Sequence, residues 1–291
     1  MSPPDSDFVA RFLLEELDIR GAFVRLGEAW RRMQDKRSYA ATVRDLLGEM
    51  TATAVLIASN LKQPGRLSFQ LKGHGPIQFL VIDCTEQLHL RGMAQAAPEV
   101  ASAPVSQLFG DGHLSLILQN EAAREPYQSL VPASGDSIAA IFEHYLMQSE
   151  QQPARLMLSA NEQHACGLFL QKLPGADAKD TDGWTRIELL AQTVTPEELQ
   201  TLTAEALLGR LFPDEAVRLF KPRPVVYDCP EDHGKVSNML RSLGRAEVES
   251  ILAEKGEVVV HDDICNHTYR FGAADLDELF PPQDPQQRTL H

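Results

Sequence analysis

The feature that most constrains this chain is an incomplete metal-type motif in its C-terminal part. Val225-Val226-Tyr227-Asp228 leads into Cys229-Pro230-Glu231, and Asp262-Asp263-Ile264-Cys265 follows after two short helical patterns. Thiolates paired at short spacing on two loops can converge on one tetrahedral zinc, and the metal then substitutes for a core too small to fold alone. Here Glu231 occupies the second slot of a Cys-x-Cys pair, and Asp262 the first slot of a Cys-x-x-Cys pair. A segment of about 60 residues is near the size at which such a staple matters. Three arrangements stay open. Cys229 and Cys265 with two of His233, His261 and His267 give a conventional ligand set. The same cysteines with Glu231 and Asp262 give an unusual one. The third is a domain that has lost its metal and carries these histidines on its surface. Zinc is therefore a candidate cofactor with half its thiolate donors replaced, and the missing donors favour the metal-free domain.

A chain of 291 residues can bury a full core, and 43% apolar with 23% charged residues argues against wholesale disorder. The formal charge of −14 argues against nucleic acid, which needs a basic face, and against anionic membranes. No stretch reads as an N-terminal signal, and no apolar run approaches the ~18 residues needed to span a bilayer. The cysteines, at 84, 166, 229 and 265, are too scattered for a secreted disulfide framework, so a reducing cytoplasm is expected.

Periodicity predicts an α+β fold. A short apolar-acidic helix is expected over 8–17 and a strand over 19–26. Val43, Leu46, Leu47, Met50, Ala54, Ile57 and Leu61 recur at helical spacing, placing an amphipathic helix over about 38–61. Strands are expected over 67–71, 77–82, 88–93 and 114–119, and a helix on Ile138, Ile141, Phe142, Tyr145 and Leu146. A hairpin follows over 156–159 and 167–173. The small, acidic stretch 175–183 suggests a boundary. A mostly helical stretch over 184–212 includes Thr195-Pro196-Glu197-Glu198, a helix start with Pro in the first turn. Beyond Cys229 come two short helices stopped at Gly244 and Gly256, a hairpin over 257–261 and 268–271, a last helix over 274–280, and a tail after Pro281 that reads as disordered.

Enzyme signatures are missing: there is no Gly-x-Ser-x-Gly, no phosphate-cradling Gly-x-x-x-x-Gly-Lys-Ser/Thr and no dinucleotide fingerprint. No catalytic residue and no nucleotide cofactor are assigned. Gly73-His74-Gly75-Pro76 reads as a tight turn, and His164 is too close to Cys166 along one strand to make a Cys-His dyad. Cys84 and Cys166 sit in apolar strand patterns and read as core cysteines.

The C-terminal layout, with the run from Ala246 to Gly256 and the closing Tyr269-Arg270-Phe271, resembles the zinc-binding redox switch of the heat shock protein 33 family, the 33 kDa redox-regulated chaperonins. Asp18-Ile19-Arg20-Gly21, Gly73-His74-Gly75-Pro76, the segment from Tyr145 to Gln151 before Pro153, and Leu168-Phe169-Leu170-Gln171 resemble further landmarks in the family's order. The likeness thus covers nearly the whole chain. It implies an ATP-independent holdase that binds unfolding clients under oxidative or heat stress, and a homodimer on activation. It also implies three parts: a client-binding core over 1–178, a helical linker over 179–228 and a switch-like domain over 229–291. In the family, oxidation links the cysteines within each motif, releases zinc and unfolds the switch, which uncovers an apolar core face.

This chain departs from that pattern, because each remaining cysteine has lost its motif partner. Cys229 and Cys265 are the candidate redox pair, and either a bridge between them or a bond between chains is open. The linker's Leu189, Leu190, Leu199, Leu202, Leu207, Leu208 and Leu211 are the candidate cover of the core and the suspected client-binding face. A permanently packed helical layer is the alternative reading of those residues. A constitutive or purely heat-activated holdase with neither redox switch nor zinc is the second functional reading, and an unrecognised thiol enzyme or hydrolase the third.

Overall fold

The computed structural model describes residues 7–61, 65–120, 126–133 and 135–281. The tail after Pro281, expected to be disordered, lies outside them. The chain divides into two compact units between Asp228 and Cys229. The stretch 175–183, where composition changes, lies inside the first.

In the first unit the strands are β1 (Phe8–Leu14), β2 (Ile19–Leu26), β3 (Gly65–Lys72), β4 (Ile77–Thr85), β5 (His89–Ala96), β6 (His113–Asn120), β7 (Tyr127–Pro132), β8 (Ala154–Ala160), β9 (Ala165–Lys172), β10 (Val217–Leu219), β11 (Arg223–Pro224) and β12 (Val226–Tyr227). The helices are α1 (Glu28–Gln34), α2 (Ala41–Ala58), α3 (Val105–Phe109), α4 (Ile138–Glu150), α5 (Ala176–Lys179), α6 (Gly183–Ala191), α7 (Pro196–Thr201) and α8 (Ala204–Leu211). One sheet has the order β10-β1-β2-β9-β8, with β11 also paired to β1; the other has the order β12-β5-β4-β3-β6-β7. The α+β class expected from periodicity is the class observed.

Helix α2 packs against strands of both sheets. Val43, Leu47, Met50, Val55 and Leu56 are buried there with Val24 and Leu26 of β2 and Phe69, Leu80 and Leu90 of the second sheet. Thr51 and Thr53 are also buried in α2, and their hydroxyls donate to the carbonyls of Leu47 at 2.7 Å and Glu49 at 2.8 Å. That bonding removes the cost of burying an unpaired hydroxyl.

Residues 8–14 form β1 rather than the expected helix. Phe8, Ala10, Phe12 and Leu14 face one side of the sheet and Val9 the other, all buried, so polar alternation is nearly absent. On the Val9 side Arg11 is exposed and Leu13 half-buried, so burial does alternate from Ala10 on, but the apolar Val9 and Leu13 mask the period-2 signal in the sequence and leave a nearly continuous apolar run. Phe12 pairs with Gly21 across the β1–β2 ladder, and a Cβ at Gly21 would overlap the Phe12 ring. The Gly73–Pro76 element is the tight turn expected of it: the His74 and Gly75 N–H groups donate to the Phe109 carbonyl at 2.9 and 3.2 Å. A Cβ on either glycine would strike the carbonyls of Leu108 or Phe109. Helix α1 and strand β7 carry no expectation from the sequence patterns.

The second unit holds α9 (His233–Leu243), α10 (Arg245–Lys255), the antiparallel pair β13 (Val258–Asp262) and β14 (His267–Phe271), and α11 (Leu276–Leu279). A short 3-10 turn, Ala273–Asp275, begins the last helical segment. The core of this unit is small. Val236, Leu240, Val248, Val258, Tyr269, Phe271 and Leu279 form its buried cluster. Gly256 ends α10 in the left-handed region at φ 78°, as its placement predicted.

Candidate functional site

Two features collect the candidate residues, one in each unit. In the second unit the sulfurs of Cys229 and Cys265 lie at disulfide distance, with Cα atoms 5.5 Å apart at a sequence separation of 36. That separation is inside the range in which a bridge forms without backbone movement. The hairpin turn between β13 and β14 delivers Cys265. The Asp262 carboxylate accepts the Ile264 and Cys265 N–H groups at 3.0 and 3.3 Å, and Asn266 takes a left-handed φ of 57°. These contacts fix the loop as an Asx-type turn. Cys229 is held from the other side. His267 donates from Nε2 to the Cys229 carbonyl at 2.7 Å, and the Asp232 N–H, three residues on, donates to the Tyr269 hydroxyl at 2.9 Å. Asp232 also caps α9, its carboxylate accepting the Lys235 N–H at 2.8 Å. Cys265 is buried and Cys229 only partly so.

The candidate metal donors do not converge. Asp262 serves the turn, and His267 serves the Cys229 backbone. His233 packs edge-on against Tyr269 with ring centroids 4.9 Å apart, and its Nε2 lies 3.4 Å from Glu231. His261 places Nδ1 3.1 Å from the Thr268 hydroxyl and Nε2 3.7 Å from Asp263. Among the described residues no group of three or more His, Cys, Asp or Glu side chains is arranged to hold a metal ion. With both sulfurs engaged in one bond neither is a thiolate donor, so the residues in this arrangement do not fit zinc. The other two cysteines behave as core residues. Cys84 and Cys166 are fully buried, and burial pushes both thiols up to about 12, which removes them as nucleophiles.

In the first unit, the face of the β10-β1-β2-β9-β8 sheet opposite α2 is lined by Phe8, Phe12, Phe23, Leu168 and Leu170 and packed by α6, α7 and α8. Leu199, Leu207, Leu208 and Leu211 are buried on it, while Leu190 and Leu202 pack at its margin. Leu189 does not belong: it is 59% exposed, because α6 turns Trp184, Ile187 and Ala191 inward. The three helices are short, and their ends are tied locally. Thr195 and Glu198 form a reciprocal capping box on α7. Polar contacts bind the layer to the sheet. Arg155 Nε meets Glu188 at 2.5 Å, the Gln200 amide donates to the Ser159 hydroxyl at 3.0 Å, and Arg25 donates to the Leu202 carbonyl at 3.0 Å. Arg25 was not singled out by sequence patterns; a cation in an apolar strand is its only signal there.

Among the described residues no helix is long and apolar enough to cross a membrane. A family model described as Hsp33 protein matches residues 7–272. The chain is 41% identical over 287 residues to the 33 kDa chaperonin of Nitrosococcus oceani, covering 98% of this chain and 99% of that one. It is 39% identical to the 33 kDa chaperonin of Methylobacillus flagellatus over 94% of each. In fold it is similar to the crystal structure of the 33 kDa chaperonin (heat shock protein 33 homolog) of Thermotoga maritima, with a TM-score of 0.79 at 22% identity, covering 94% of this chain and 97% of that one. With the family match running from the first described strand to the last, and relatives this similar along their whole length, the chain belongs to the Hsp33 family.

Proposed function

We propose that this chain is a cytoplasmic, ATP-independent holdase that binds proteins unfolding under heat or oxidative stress and prevents their aggregation. Its relatives are named chaperonins, and it is a chaperone of that family rather than an enzyme. The observation that carries the reading is the divided cover of one sheet face. Phe8, Phe12, Phe23, Leu168 and Leu170 form an apolar surface, and α7 and α8 lay Leu199, Leu207, Leu208 and Leu211 over it beside Trp184 and Ile187 of α6. Lifting such a layer would expose a large contiguous apolar patch, which binds without sequence specificity. In this reading residues 1–178 hold clients and 229–291 control the release; of the stretch 179–228, expected to be helical throughout, only α6–α8 form the releasable cover, because β10, β11 and β12 are paired into the two core sheets. The activated form is a homodimer, and neither nucleic acid nor membrane takes part.

A second reading, a constitutive or purely heat-activated holdase without zinc, is favoured by the donor set, which does not converge on a metal. Hydrogen exchange of the heated full-length protein, with and without an unfolded client, tests the proposal. Exchange should rise in α6, α7 and α8 before β1, β2 and β9, and the client should then protect those strands. Simultaneous exchange of helices and strands, with no client protection, would contradict it.

A further inference from the structure

We propose that the Cys229–Cys265 pair is a redox site that works in the direction opposite to oxidative unfolding: forming the bridge locks the second unit, and a dithiol reductant unlocks it. The inference rests on the holdase reading for its consequence, and on the geometry of the pair for its sign. The bridge spans a sequence separation of 36 and encloses α9, α10 and β13, most of a unit whose buried apolar cluster, among the described residues, is seven side chains. A cross-link restricting that much of a weak unit removes unfolded-state freedom it cannot otherwise offset. No competing pairing is offered within the chain, because Cys84 and Cys166 are fully buried in the first unit.

The chemistry balances as thiol–disulfide exchange. One thiolate of the dithiol attacks the Cys229 sulfur, the partner that is only partly buried; the S–S bond breaks and Cys265 leaves as a thiolate that takes a proton from water. The dithiol's second thiol then attacks the mixed disulfide and expels Cys229. Two electrons pass to the cysteine pair, and the dithiol becomes a disulfide. Re-closure consumes one hydroperoxide: a thiolate attacks its terminal oxygen, the O–O bond breaks and alkoxide or hydroxide leaves, and the sulfenic acid so formed condenses with the other thiol to give the disulfide and water.

The reduced unit should therefore melt below the oxidised one by on the order of 15 °C or more. Client capture should begin correspondingly earlier on heating. The full-length protein, reduced with dithiothreitol or oxidised with peroxide and checked for the bridge by non-reducing peptide mass, is heated in steps. Hydrogen exchange of residues 229–281 and the onset of client capture are then read together. Lower onset and earlier exchange in the reduced form support the inference, and Cys229→Ser/Cys265→Ser should follow the reduced form with or without peroxide. Faster exchange after peroxide, or equal melting of the two forms, overturns it. A shift in exchange without a shift in capture overturns the regulatory part. Absence of capture in every state defeats the holdase reading instead, and the exchange data then judge the lock separately.

Discussion

Leu207→Ala separates a releasable cover from a permanent layer. Leu207 is fully buried in α8, on the stripe with Ala204, Leu208 and Leu211 that lies over the apolar face of β1, β2 and β9. Truncation removes its transfer free energy and leaves a cavity, a loss of roughly 2–5 kcal/mol. If α6–α8 open as a layer, that loss falls on the opening equilibrium, and every ~1.4 kcal/mol raises the open population tenfold. Even the lower bound gives an increase of roughly 30-fold. Amide exchange over residues 204–212 should accelerate by that factor, and the variant should capture an unfolded client at temperatures where the parent does not. Leu189→Ala, at a position 59% exposed, should change stability by no more than about 0.5 kcal/mol. If Leu207→Ala instead lowered the melting of the whole first unit with no gain in client capture, the layer would be part of the permanent core and the reasoning would fail.

Two further outcomes follow from buried ionisable groups. Glu49 in α2 is pushed up to about 7, chiefly by burial and secondarily by the neighbouring Asp45 charge. Its folded-state proton is held more tightly than in the unfolded chain, so stability is greatest below pH ~4.5 and falls by about 3 kcal/mol as pH rises through 7. Glu49→Gln should flatten that slope in denaturant melts and stabilise the protein at pH 8; an unchanged slope would remove Glu49 as its source. Alkylation by iodoacetamide at pH 8 should label the half-buried Cys229 first and the more buried Cys265 more slowly in the reduced native protein, and spare Cys84 and Cys166, which are fully buried with thiols near 12. Labelling of either core cysteine before the protein unfolds would contradict that placement.

Local patterns read well wherever one face of an element meets solvent or the helical period is long. The apolar spacing through Val43, Leu47 and Met50 gave α2, and the glycines after α9 and α10 marked their ends. The misreading of residues 8–14 came from the apolar Val9 and Leu13 on the less buried face, which mask the alternation, together with acids that belong to the following turn. Leu189 fails for a related reason: leucine content shows that a layer is apolar, but only the inward set Trp184, Ile187 and Ala191 fixes which way α6 turns. In the second unit both cysteines were visible, but their meeting depends on the β13–β14 turn reaching the segment before α9. The ligand-like spacing of Asp262 and His267 is used by that turn and by the Cys229 backbone, roles that spacing cannot distinguish from metal binding.

The central claim, capture of unfolding proteins without nucleotide, is tested most directly by light scattering from a chemically denatured client diluted into buffer that lacks ATP. The protein should be added resting, peroxide-treated or pre-heated, in each case at equal concentration. The account predicts that the pre-heated protein suppresses scattering near a one-to-one ratio with no ATP present, and that peroxide alone suppresses it poorly. Scattering undiminished in all three states, or suppression that appears only when ATP is added, would contradict it.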